Sequence, residues 1–139
     1  MFWHADKSVY QRETSMKIAN IMAGINDGER KRQWFQASMY ILNKHWDKVD
    51  NFRIDKFLAL VRHMFSQVLA YLKSTNYEAS AISWLQGLLD KLFSDSLSAQ
   101  GICLQITDVF VPELGKVDKD EITLDQIGAL LKPFLKALA

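Results

Sequence analysis

Apolar residues recur along most of this chain at three- and four-residue spacing, the period of an α-helix. The longest such stretch, Asp50 to Ser74, contains neither glycine nor proline. At about 100° per residue, Ile54, Phe57, Leu58, Val61, Met64, Phe65, Val68 and Leu72 fall on one side. Leu60, Leu69 and Tyr71 widen that side to roughly half the circumference. Asp55, Lys56, Arg62, His63, Ser66, Gln67 and Lys73 take the opposite side. So wide a stripe predicts a central helix with neighbours on two sides. Asp50 is placed to cap its first turn, and Lys73 complements the negative end of its dipole.

The same pattern predicts helices on either side. Trp3 is expected to pack. Ser8 is placed to cap a helix reaching about Ile25, with Tyr10, Thr14, Ile18, Ile21 and Ile25 as its stripe. Gly24, Asn26 and Gly28 supply the stop. Asp27 caps a second helix from about Glu29 to Trp46, with Trp34, Phe35, Met39, Ile41, Leu42 and Trp46 inward. His45 falls on that side and is expected to be a core histidine, while Arg30-Lys31-Arg32 reads as a solvated first turn. After a loop around Ser74–Asn76, a fourth helix spans about Glu78 to Phe93, followed by a polar connection from Ser94 to Ser98. Gly101 to Leu114 is rich enough in β-branched residues for a strand. No partner strand exists elsewhere, and Ile102, Cys103, Ile106, Val109, Phe110 and Leu114 share a helical side, so helix is chosen. Pro112 is expected to kink it or end it early, and Gly115–Glu121 to form a polar turn. Thr123 with Gln126 is a capping box and Ile122 with Ile127 a hydrophobic staple, opening a last helix through Leu138 that Pro133 should bend. The predicted fold is all-α: about six helices in antiparallel pairs within one domain, residues 1–139. A short, irregular HEAT-like α-solenoid is favoured, with a compact helical bundle as the alternative.

Composition narrows the function classes. Hydrophobic residues make up 49% of the 139 and charged residues 24%, the balance of an ordinary globular domain. Met1–Ser8 lacks the pattern of a signal peptide, and no apolar run approaches the roughly 18 residues of a membrane span. Net charge is +1, so the whole molecule is not a generic polyanion binder. The charge is nonetheless uneven: residues 1–73 hold 12 Lys/Arg against 7 Asp/Glu, and residues 74–139 hold 5 against 9. This points to a basic end and an acidic end with different partners. Cys103 is the single cysteine, sits among apolar neighbours and reads as a buried, inert thiol.

Catalytic chemistry is not visible. None of His4, His45 and His63 has a second His or Cys at ligand spacing. No phosphate-binding glycine loop or nucleophile elbow occurs. Asp118 and Asp120 do not continue into a calcium loop, because Ile122 and Thr123 stand at its fifth and sixth positions. No stripe brings two carboxylates onto one apolar face, so neither an enzyme nor a cofactor or small-molecule substrate is expected. Nucleic-acid binding has more support: Arg53, Lys56, Arg62, His63 and Lys73 lie off the central apolar stripe, just after Lys44 and Lys48. Cations so placed can neutralise phosphates.

The order of several motifs also resembles a known family. His45-Trp46-Asp47, Val49-Asp50, Arg53-Ile54-Asp55-Lys56-Phe57, Leu60, Arg62 and Leu72-Lys73 resemble the W-x-x-[IV]-D and R-[LI]-D-K-[FY] signatures of the eukaryotic nucleolar ribosomal-RNA-processing protein one family. Trp3, Asp6 and Lys7 resemble its opening motif, with Ser8 where proline is usual. Gly101, Asp108-Val109-Phe110, Glu113-Leu114 and Lys116-Val117 resemble its fifth-helix motif, from which Pro112 departs. Ile122-Thr123, Asp125-Gln126 and Pro133-Phe134 resemble its close. The resemblance covers nearly the whole chain. The family normally carries helical sequence ahead of Trp3 and a long charged tail; neither lies in these residues, so a reduced member or a fragment is expected. The resemblance implies a non-catalytic, nuclear and nucleolar factor of ribosome biogenesis, acting in pre-rRNA processing and large-subunit assembly. Its implied partners are pre-ribosomal particles, pre-rRNA and other assembly factors, with no membrane. With it, Arg53, Lys56, Arg62 and Lys73 become the candidate RNA contacts. A helical protein–protein adaptor without RNA contact is the alternative.

Overall fold

The computed structural model describes residues 2–95, 100–118 and 121–139, and every regular element among them is helical. Six α-helices follow in order: α1 (Ser8–Gly24), α2 (Gly28–His45), α3 (Ile54–Ser74), α4 (Ala79–Ser94), α5 (Gln100–Val117) and α6 (Leu124–Leu138). Short 3-10 turns at Phe2–His4 and Trp46–Lys48 precede α1 and follow α2. Ser96–Ser98 of the expected polar connection, and Lys119 and Asp120 of the expected turn and rejected calcium loop, lie outside the described residues.

Successive helices reverse direction, giving the antiparallel pairs α1/α2, α3/α4 and α5/α6. The heaviest packing is between next-but-one neighbours: α3 lies between α1 and α5, and α4 lies on α6. Cross-helix bonds fix the directions. Gln105 near the start of α5 donates to the Leu58 carbonyl near the start of α3 (3.0 Å), and Lys73 at the end of α3 donates to the Val117 carbonyl at the end of α5 (3.1 Å). Phe93 and Phe134, both late in α4 and α6, meet at 5.1 Å. The odd helices therefore run parallel in one layer and the even helices in a second, antiparallel layer. This stacking of helix pairs is that of a short solenoid, in which each pair packs on its neighbours.

The core lies between the layers, and α3 supplies most of it. Leu60, Val61, Met64, Phe65, Val68, Leu69 and Leu72 are buried, as the wide stripe predicts. An aromatic chain crosses the molecule through Phe65: Phe35 lies 5.3 Å from it and Phe110 6.3 Å, and Phe110 continues to Phe134 at 4.8 Å. Edge-on and tilted rings at these spacings add to what their buried area contributes.

Helix ends follow local rules in part. Asp27 accepts from the Arg30 amide, and Thr123 and Gln126 form the complete capping box. Asp50 accepts from the Arg53 amide in the turn ahead of α3, but α3 itself, with Arg53 at its N-cap, has no side-chain cap. Ser8 does not cap α1; Lys7 holds that position without a side-chain bond. Burial on α1 also departs from the periodicity. Ser15, Ala19 and Met22 face inward while Tyr10 and Ile21 are exposed. Ile18, of the expected stripe, packs part-buried against the core. On α2, Ile41 and His45 are exposed; His45 is not a core histidine.

Both prolines sit inside helices without ending them. α5 runs through Pro112 to Val117, so the helix is longer, and the following turn shorter, than expected. Pro112, Asp108 four residues earlier and Gly115 are all exposed. The missing N–H therefore falls on the solvent side, where water can serve the freed carbonyl. Pro133 is buried, and its missing donor is replaced from another helix: Gln86 of α4 donates its side-chain amide to the Ala129 carbonyl, four residues before the proline.

Candidate functional site

The four candidate contacts, Arg53, Lys56, Arg62 and Lys73, do not form one patch. Lys56 is only 3% exposed. Its ammonium donates to the carbonyls of Trp3 (2.6 Å) and Ala5 (3.1 Å), and burial lowers its pKa. Angular position alone leaves Lys56 on the polar side of α3. The segment Phe2–Ala5 folds over that side, with Phe2 5.1 Å and Trp3 6.0 Å from the Phe57 ring. Arg53 belongs to the same clamp. Its guanidinium pairs with Asp50, donates to the Trp3 carbonyl at 3.3 Å and lies 4.6 Å from the centre of the Trp3 ring. Trp3 therefore packs, as expected of it. Lys73 serves the end of α5 through the Val117 carbonyl and lies 3.8 Å from Glu121. Arg62 is exposed, with no hydrogen bond or ion pair among the described residues.

Arg32 is not the solvated cation its neighbours suggest. It donates to the Tyr71 hydroxyl at 2.9 Å and to Ser80 at 3.3 Å, with its guanidinium 5.8 Å from the rings of both Tyr71 and Trp84. It ties α2 to α3 and α4.

The structure instead gathers cations around His63. Arg12 from α1, Arg62 beside it on α3, and Lys116 from α5 all lie close enough to act on its charge. Burial holds the imidazole pKa below its usual 6.5; Glu113 opposes that effect, and Arg12, Arg62 and Lys116 reinforce it. Glu113 is buried and accepts from Lys116 at 2.7 Å. Arg12 and Lys116 had no local signal in the sequence. Only the side-by-side register of α1, α3 and α5 assembles them.

A groove of about 340 Å³ separates α2 from α4 in the other layer. Ala37, Tyr40, Leu88 and Leu92 make its apolar lining, with Gln33 and Gln36 at its side. Cys103 is half-buried, and burial raises its thiol pKa, in keeping with an inert role. Among the described residues no group of three His, Cys, Asp or Glu is placed to hold a metal ion. No helix among them is long and apolar enough to cross a membrane.

Comparison with known proteins adds what geometry alone does not carry. The "Ribosomal RNA processing protein 1 homolog" of Drosophila melanogaster is 30% identical over 139 residues, covering 99% of this chain and 20% of that protein. "Ribosomal RNA processing protein 1 homolog A" of Homo sapiens is 30% identical over 99% of this chain and 30% of its own length. The homologue from Dictyostelium discoideum is 24% identical over 98% of this chain and 32% of its own length. The chain thus spans about a fifth to a third of the length of these relatives. The family described as "Nucleolar protein, Nop52" matches residues 1–139, from the Trp3 clamp to the last turn of α6, and this chain belongs to that nucleolar family.

Proposed function

We propose that this chain is a non-catalytic helical scaffold of ribosome biogenesis. It acts in the nucleolus, in pre-rRNA processing and large-subunit assembly, within pre-ribosomal particles and against pre-rRNA and other assembly factors. The observation that carries this reading is the family match over the whole chain, together with the shared name of its relatives. The architecture supports the scaffold reading: a short stack of helix pairs offers two broad faces for partners. Of the four cations first singled out, Arg62 is left as the direct RNA contact. Arg53, Lys56 and Lys73 support the surface from within.

The test is a tagged copy expressed at its normal level, recovered from cells and followed through a sucrose gradient with probes for pre-rRNA. Co-migration with large-subunit precursors is the expected result. Recovery in light fractions with protein partners and no pre-rRNA would overturn it in favour of the adaptor. The apolar groove between α2 and α4 is the observation that favours this second reading. Adaptor binding there would depend only weakly on salt, whereas phosphate contacts weaken steeply with it.

A further inference from the structure

Two columns of side chains run along the outer face of α3. Gln67 turns toward α1, where its amide donates to Asn20 at 2.9 Å, and His63 lies one turn before it on the same side. Lys73 turns toward α5, and Arg62 lies three turns before it on that side. With Arg12 and Lys116 added from the flanking helices, four basic side chains form a row across three helices. Glu113 is the carboxylate facing this row, and Lys116 already holds it at 2.7 Å. Arg12 and Arg62 are exposed, and among the described residues neither side chain makes a hydrogen bond or ion pair. Some cations elsewhere are matched: Arg53 has Asp50, Lys73 has Glu121 and Lys136 has Asp90. Unmatched guanidinium groups flanking an imidazole repel one another and hold a positive field that an anion would complete.

Resting on the reading that this chain contacts pre-rRNA, we propose that Arg12, Arg62 and His63 form a binding site for the RNA phosphate backbone on the α1–α3–α5 face. The two guanidinium groups donate charge-assisted hydrogen bonds to phosphate oxygens. Lys116, paired with Glu113, bounds the site on the α5 side, and the Asn20–Gln67 pair supplies further polar groups along the same face. His63 makes the site pH-sensitive. Burial, joined by Arg12 from α1, Arg62 from its own helix and Lys116 from α5, disfavours its proton, and Glu113 favours it. A bound phosphate adds a second negative group, so binding takes up a proton at His63 and strengthens as pH falls.

The experiment uses the full chain and a fluorescein-labelled oligouridylate, with anisotropy read from about 50 to 200 mM salt. The doubly substituted R12Q/R62Q is compared with K44Q/K48Q, which removes the same charge from exposed positions outside this face. Both should keep the wild-type melting curve. R12Q/R62Q should weaken binding about tenfold or more and lower the salt slope by about 1.4, the loss of two phosphate contacts on a single strand. K44Q/K48Q should change affinity less than about twofold. His63→Gln should abolish the rise in affinity between about pH 8 and pH 6. If the wild type binds with steep salt dependence and R12Q/R62Q behaves like K44Q/K48Q, the site is wrong while the RNA reading stands. If the wild type does not bind RNA at low salt, RNA contact itself fails, and an acidic protein segment becomes the occupant to test.

Discussion

A Cβ on Gly101 would sit 2.5 Å from Nε1 of the buried Trp46 indole. That separation is inside van der Waals contact, so any side chain at 101 must displace a ring packed between the end of α2 and the start of α5. Gly101→Ala should destabilise the fold by about 1–3 kcal/mol, the usual cost of overpacking. Gly87, mid-way along α4, has open space where its Cβ would stand. Gly87→Ala should stabilise by about 0.5–1 kcal/mol through helix propensity. Urea denaturation of the two variants reads the opposite signs directly.

Tyr77 is a second residue whose surroundings set its behaviour. It follows Asn76 in the left-handed region, at φ 54° after 52°, an unusual place for a bulky side chain. Its buried ring holds it there, and its hydroxyl donates to the buried Asp118 carboxylate at 2.5 Å. Burial and that hydrogen bond both push the phenol pKa up from 10.0. The stabilisation is therefore fully present below pH 10 and is lost as pH rises toward the folded-state pKa, because the unfolded chain ionises first. Tyr77→Phe should cost about 1–3 kcal/mol at neutral pH. That deficit should narrow above about pH 10, which denaturation curves across alkaline pH would reveal.

At the scale of elements, proline 133 and glutamine 86 act as a pair across two helices. Proline cannot donate to the Ala129 carbonyl, and Gln86 from α4 does so instead. Gln86→Ala leaves that carbonyl unserved beneath α4 and should cost about 1–3 kcal/mol. With Pro133→Ala the helix regains its own donor, and the same Gln86→Ala change should cost clearly less. A double-mutant cycle isolates this coupling from the small cavity left by the proline ring. Independent, additive effects would show that the two residues do not act together. Pro112 needs no such partner, because its side of α5 faces water.

Across the whole molecule, the two layers are joined through Phe65. Its ring meets Phe35 of α2 and Phe110 of α5, and it is fully buried. Phe65→Ala should cost about 3–5 kcal/mol. Hydrogen exchange should show protection falling in α2 and α5 together, although they lie in different layers. Loss confined to α3 would mean that the layers are coupled elsewhere. The same stacking leaves one face of α1, α3 and α5 open across its width, where the row of Arg12, Arg62, His63 and Lys116 lies.

Much of this was legible in the chain. A broad apolar stripe without breakers makes α3 central, because burying half a helix needs neighbours on two sides. Asp27 and Thr123 mark helix starts because a side-chain acceptor there meets amides left without an intrahelical partner. Strings of ordered motifs also placed the chain near its family. What periodicity could not supply was anything set by a second segment arriving from elsewhere. Lys56 lies on the polar side of its own helix and is buried by Phe2–Ala5. The buried face of α1 is Ser15, Ala19 and Met22, not the expected stripe with Tyr10 and Ile21, because the register of α1 on α3 sets it. Pro112 was expected to kink or end its helix and Pro133 to bend its own, because a sequence does not show whether water or Gln86 will serve the carbonyl each frees. The sequence by itself determined which stretches are helical and which helix lies at the centre. Tertiary structure decided which cations remain free, because burial and charge pairing depend on residues far apart in the chain and adjacent only after folding.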